Sequence, residues 1–216
     1  NYNQFVDILN TELKPAMGCT EPIAIAYSAS IVKDVLGGLP TDVKIYVSGN
    51  IIKNVKSVKV PNTNGKVGIR VAAAIGLVAG DSRKELEVIA NSKEEDVLKL
   101  ESYMEQASIN VFPVDNEHTL YIEIIGTIND DVVKVIILDA HTNVYLVEKN
   151  NEVLYFNDKK VSNPVVTINK SVLNIHDIIE FANIVDIKDI KDVLDRQIEY
   201  NLAIANINDK LSKTNK

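Results

Sequence analysis

The chain has 216 residues, 46% of them hydrophobic and 25% charged, and a formal net charge of −7. That length supports one large domain or two small ones, and the acidic balance, with no polybasic run, argues against nucleic acid or a membrane surface as partner. No apolar run reaches the roughly 18 residues of a membrane span, and one cysteine cannot form an internal disulfide, so a reducing, cytoplasmic setting fits best. Asn1 opens no signal-peptide pattern and reads as a processed or artificial end.

Phe5, Leu9 and Leu13 recur every four residues and predict an opening helix that Pro15 ends. Gly18-Cys19-Thr20-Glu21-Pro22 follows, with Thr20 as a helix N-cap and Pro22 in the first turn. The helix to Leu36 is apolar on nearly all sides through Ile23, Ile25, Ala26, Ala29, Ile31, Val32 and Val35, which predicts a central, buried element. Cys19 then sits at the positive end of a helix dipole, where thiolate is favoured over thiol; a free cysteine packed as a small hydrophobe is the competing reading.

Val43, Ile45 and Val47 alternate with polar or half-polar residues as in a half-buried strand, and Gly49-Asn50 reads as a turn into a second extended run through Val60. Pro61-Asn62-Thr63-Asn64-Gly65 precedes a helix from about Val67 to Ala79, with Gly80 placed to cap it. Loop N–H groups beside a helix N-terminus suit a substrate carboxylate, and a plain turn is the alternative. Ala72, Ala73, Ala74 and Ala79 allow close approach to a neighbour; if that neighbour is the Cys19 helix, two helix N-termini point toward one pocket.

From about residue 83 to 165 the texture changes. Ser92 and Glu95 form a capping box for a helix carrying Val97, Leu98 and Met104. Extended runs at 109–114, 119–128, 132–139 and 142–148 are separated by turn signals and predict an antiparallel meander with a covering helix. Ile175 to Asn183 and a longer helix capped by Asp186 complete the chain. The expectation is an α+β protein: residues 1–82 and 166–216 as portions of a helical domain, with an α+β module inserted at 83–165. His118, His141 and His176 have no zinc-motif spacing, and His141 lies between two predicted strands, facing a pocket or an exposed turn.

Five blocks in order, Gly18 to Ala24, Ser48-Gly49-Asn50 to Val55, Val60 to Gly65, His141-Thr142-Asn143 and Leu194 to Asn201, are similar to the iron–sulfur-dependent L-cysteine desulfidases, a family related to the iron–sulfur L-serine dehydratases. The resemblance implies a helical catalytic domain and elimination of sulfide from L-cysteine, giving pyruvate and ammonium. It also implies a 4Fe-4S cluster held by three cysteines that lie mainly beyond this chain, which then looks like the N-terminal part of a lyase and is expected to be inactive alone. Cys19 is either the base that removes the α-proton or a cluster ligand. Asn62, Thr63, Asn64 and Gly65 are the candidates for the substrate carboxylate, with Asn50 and His141 as further substrate contacts. A homodimer is expected. An L-serine dehydratase portion and a noncatalytic amino-acid-binding or dimerisation module are the alternatives. If the catalytic half is incomplete, the Cys19 helix and the alanine-rich helix should expose apolar patches or bury them in a dimer.

Overall fold

The computed structural model describes residues 1–13, 15–16, 18–157 and 170–214. Two compact units divide the chain, one formed by Asn1–Pro15 with Ser162–Lys216 and the other by Ala16–Val161. The helices and mostly antiparallel sheet bear out the α+β class.

In the central unit, helix α2 (Thr20–Leu36) has residues such as Ile23, Ile25, Ala29 and Val32 fully buried, as its lack of a polar face requires. Gly37, at φ 77°, ends it by donating its N–H to the Lys33 carbonyl. Strand β1 (Asp42–Ser48) follows, then a short helix, α3 (Gly49–Val55). The expected extended run is therefore helical at its start: Ile51 and Val55, four apart, are the buried pair, which is helical and not strand spacing. Helix α4 (Ile69–Ala79) is the predicted alanine-rich helix, and a 3-10 turn spans Ser82–Glu87. Helix α5 (Glu94–Gln106) starts one residue beyond Lys93, whose N–H donates to the Asp96 carboxylate, so Asp96 replaces Glu95 in the cap.

Five more strands complete the sheet: β2 (Ser108–Val114), β3 (Tyr121–Ile128), β4 (Asp131–Leu138), β5 (Val144–Lys149) and β6 (Glu152–Phe156), in the order β2-β1-β3-β4-β5-β6. Strand β2 pairs parallel to β1 and lies outside the meander, which runs antiparallel from β3 to β6. Ile45 pairs with Ile124, Ile124 with Val135, and Val135 with Val147, laying one buried row across four strands. Helix α2 packs on β3 and β4 over this face. At Gly126 a Cβ would come within 2.5 Å of Val32, so the missing side chain lets the helix settle there. Because β1 belongs to this sheet and α2 and α4 belong to its core, the sequence boundary at 82/83 runs through one hydrophobic cluster; the boundary at 165/166 lies outside the described residues.

The terminal unit contains α1 (Tyr2–Glu12), α6 (Ile175–Ile184) and α7 (Ile187–Thr214). Phe5, Phe181, Ile190 and Val193 form its small core, with Phe5 and Phe181 stacked at 5.0 Å. Asn174 caps α6 by accepting from the Asp177 N–H, and Asp186 accepts from Lys188 N–H at the start of α7. Exposed apolar residues occur in both units, Ile175, Ile179, Ile187 and Ile204 here and Val153, Leu154, Tyr155 and Phe156 on β6 of the central unit. The Cys19 and alanine-rich helices are instead buried against the sheet and each other, which corrects the expectation that they would expose patches. Among the described residues no helix is long and apolar enough to cross a membrane.

Candidate functional site

The site begins where two helices start side by side. A Cβ on Gly76 would lie 2.2 Å from the Ala26 carbonyl oxygen, and one on Gly80 would lie 2.7 Å from Ser30 Cβ. Both contacts advance by the same number of residues on α2 and α4, so the helices run parallel. Moving back equally from the Gly76–Ala26 crossing reaches Ile69 on one helix and Cys19 on the other, the two helix starts. The two N-termini therefore lie toward the same end of the helix pair, where their dipoles add positive potential.

Cys19 is itself the N-cap, with extended backbone, and Thr20, Glu21 and Pro22 fill the first turn; the cap falls one residue earlier than Thr20. The Cys19 thiol donates to Glu21 Oε2 at 2.8 Å, and the Asn54 amide of α3 donates to Glu21 Oε1 at 3.2 Å. Thr20 Oγ1 lies 3.1 Å from His141 Nε2, in the loop between β4 and β5. Gly18, at φ 100°, packs near Pro61, whose Cγ is 3.7 Å from where a glycine Cβ would stand. Four of the five ordered blocks thus converge here; the fifth, 194–201, lies on α7 in the terminal unit.

Partial desolvation of the sulfur, and then the hydrogen bond to Glu21, push the Cys19 pKa up. This corrects the expected thiolate: Glu21 supplies the negative charge that the helix start attracts, and the proton rests on sulfur. Glu21 is held below the usual carboxylate range by the Cys19 hydrogen bond, with Asn54 and His141 acting in the same direction against desolvation. Burial lowers the His141 pKa below its ordinary 6.5, opposed by the charge of Glu21, so the imidazole is neutral at pH 7. Cys19 remains exposed and free.

The Pro61–Gly65 loop stands beside this cluster, but its side chains serve the loop. Thr63 is buried and donates to the Val60 carbonyl at 2.8 Å, and the Asn62 amide donates to the Ile89 carbonyl at 3.0 Å. Asn62, Asn64 and Gly65 have positive φ, and Val60 N–H closes the loop on the Lys66 carbonyl at 2.9 Å. Within the loop Asn62, Asn64 and Gly65 are exposed, and only Thr63 is buried. Asn50 is elsewhere, in a cleft of about 460 Å³ with Ser48, Asn116 and His118. Glu21 and Asn54 were not singled out from sequence, although both lie inside the resemblance blocks; a carboxylate two residues after a cysteine at a helix start was the signal available.

A three-cysteine iron–sulfur cluster does not fit the residues present, since Cys19 is the chain's single cysteine. Among the described residues no three His, Cys, Asp or Glu side chains gather in a metal-binding group.

No family model matches the chain. It is similar to a UPF0597 protein of Desulfitobacterium hafniense, 44% identical over 204 residues, covering 94% of this chain and 47% of that protein. A UPF0597 protein of Treponema denticola is 38% identical over 205 residues, covering 94% of this chain and 48% of its own length. One of Finegoldia magna is 40% identical over 202 residues, covering 93% and 48%. The chain thus spans about half the length of the curated relatives it matches, and their names state no reaction.

Proposed function

We propose that the chain is the N-terminal portion of a lyase that eliminates sulfide from L-cysteine, with Cys19 as the base at the α-carbon. The observation that supports this reading is the convergence of Cys19, Glu21, Asn54 and His141, from three separated segments, at paired helix N-termini. Paired dipoles favour an α-carboxylate. The substrate ammonium is attracted to Glu21; as it takes up that carboxylate's charge, the thiol loses the partner that holds its proton and ionises more readily. The thiolate then removes the α-proton, the Cβ–S bond breaks with its electrons leaving on sulfide, and the aminoacrylate formed hydrolyses to pyruvate and ammonium. Neutral His141, beside Thr20, is an acceptor for the proton that leaves Cys19. The 4Fe-4S cluster that the resemblance assigns to the departing sulfur is not assembled from this chain's residues.

The test uses the full-length protein, reconstituted anaerobically with iron and sulfide, in sulfide-release assays on L-cysteine and pyruvate assays on L-serine. Sulfide release by the full-length protein, with turnover lost and iron retained in Cys19→Ser, is the expected outcome. Loss of iron in that variant makes Cys19 a ligand instead, pyruvate from L-serine alone makes the protein a dehydratase, and no elimination from either substrate overturns the reading.

A further inference from the structure

Beyond His141 the same loop borders a separate cleft of about 380 Å³, whose lining includes Tyr27, Glu85, Thr142, Asn143, Tyr155 and Asn157. Thr20 and Tyr27 are seven residues apart on α2 and share a face, so this cleft lies about two helical turns from Cys19. Its lining carries one carboxylate, two phenols, a hydroxyl and two carboxamides, and no cationic side chain.

Glu85 is the unusual member. Its backbone sits at φ 47°, ψ −112°, inside the 3-10 turn, a region that residues with a Cβ rarely adopt. No side-chain hydrogen bond or ion pair of Glu85 to another described residue offsets that strain. The surrounding turn holds it there, and such held strain is characteristic of ligand clamps. The Tyr27 ring is buried, and burial, then Glu85 and Tyr155, keep its phenol protonated. Asn143 Oδ1 already accepts from the Asn157 amide at 3.1 Å, and its second lone pair remains available.

We propose that this cleft is a binding site for a small aliphatic ammonium group, held by the Glu85 carboxylate and the Asn143 carbonyl oxygen against the Tyr27 and Tyr155 rings. The cleft's own lining carries no cation, and of the two cations that share an adjoining cleft with Glu85, Arg83 is paired with Asp81 and Lys84 faces that other cleft; a carboxylate beside aromatic rings then selects a weakly hydrated organic cation by charge and by cation–π attraction. The volume far exceeds what a bare metal ion fills and suits an amine with a short carbon chain. The site stands whether or not the lyase reading holds.

The experiment is an isothermal or ¹H–¹⁵N NMR titration of the chain with ethylammonium chloride, with potassium chloride and sodium propionate at equal ionic strength as controls. Saturable ethylammonium binding is expected, with shifts at Tyr27, Thr142, Asn143 and Tyr155, and at least tenfold weaker binding in Glu85→Gln. Glu85→Gly relieves the backbone strain, so it folds with an unchanged or raised melting temperature and still loses binding. Equal binding by Glu85→Gln, equal competition by potassium, or no saturable shift at these residues would each overturn the site.

Discussion

A carboxylate in the first turn of a helix is favoured by the helix's positive end, and Glu21 takes that place while Cys19 takes the cap. The effect on the thiol is opposite to that of an isolated cap cysteine, because partial burial of the sulfur and then its hydrogen bond to the Glu21 carboxylate at 2.8 Å outweigh the helix field. Alkylation follows the thiolate fraction. In Glu21→Gln, iodoacetamide should therefore label Cys19 several-fold faster at pH 8 than in the parent, with the midpoint of the pH–rate profile moved down. The desolvation contribution persists in the variant, so the midpoint keeps that part of its upward shift. An unchanged profile would show that the carboxylate does not set the reactivity. The sequence disclosed the cysteine and the helix behind it through composition alone, since Ile23 to Val35 presents no polar face. It did not disclose that Asn54 and His141 reach the same place: one arrives through a helix read as a strand, the other through a hairpin loop, and neither long-range approach leaves a local pattern.

At the scale of elements, the α2–α4 crossing is set by missing side chains. Gly76→Ala would drive a Cβ to 2.2 Å from the Ala26 carbonyl oxygen, and backbone cannot rotate out of the way as a flexible side chain can. The helices must separate, at a cost of about 3 kcal/mol or more. Urea unfolding should show a lower midpoint with the slope unchanged; a variant as stable as the parent would contradict the contact. Separation would also spread the two helix starts that flank Cys19. The small-residue run made a close neighbour predictable, whereas the parallel pairing of β1 with β2 was not, because the sequence between them hides the crossover among helices. Asn150 and Asn151, with φ values of 52° and 66°, make the two-residue hairpin turn into β6, yet β6 has no strand pattern in the sequence. Its five residues are all exposed, so it lacks the buried alternation by which a strand is recognised.

For the whole molecule, the hydrophobic clusters follow the two compact units, and the larger belongs entirely to residues within Ala16–Val161. A chain of residues 16–157 is accordingly expected to fold without the terminal helices, giving a single cooperative thermal transition and dispersed amide resonances. A molten, uncooperative product would mean that the terminal unit is required for the larger core. The site around Cys19 would be present in that shorter chain, which makes it a second setting for the alkylation measurement.

The placement of β1 between β2 and β3 also governs how the chain is made. Strand β1 emerges from the ribosome with Val43, Ile45 and Val47 ready for burial, yet both of its partner strands lie roughly sixty residues or more downstream. Through that interval of translation its two edges and apolar face have only α2 and the nascent helices as cover, so this short segment is the natural point of engagement for a chaperone and the place where a slowed ribosome would do most harm.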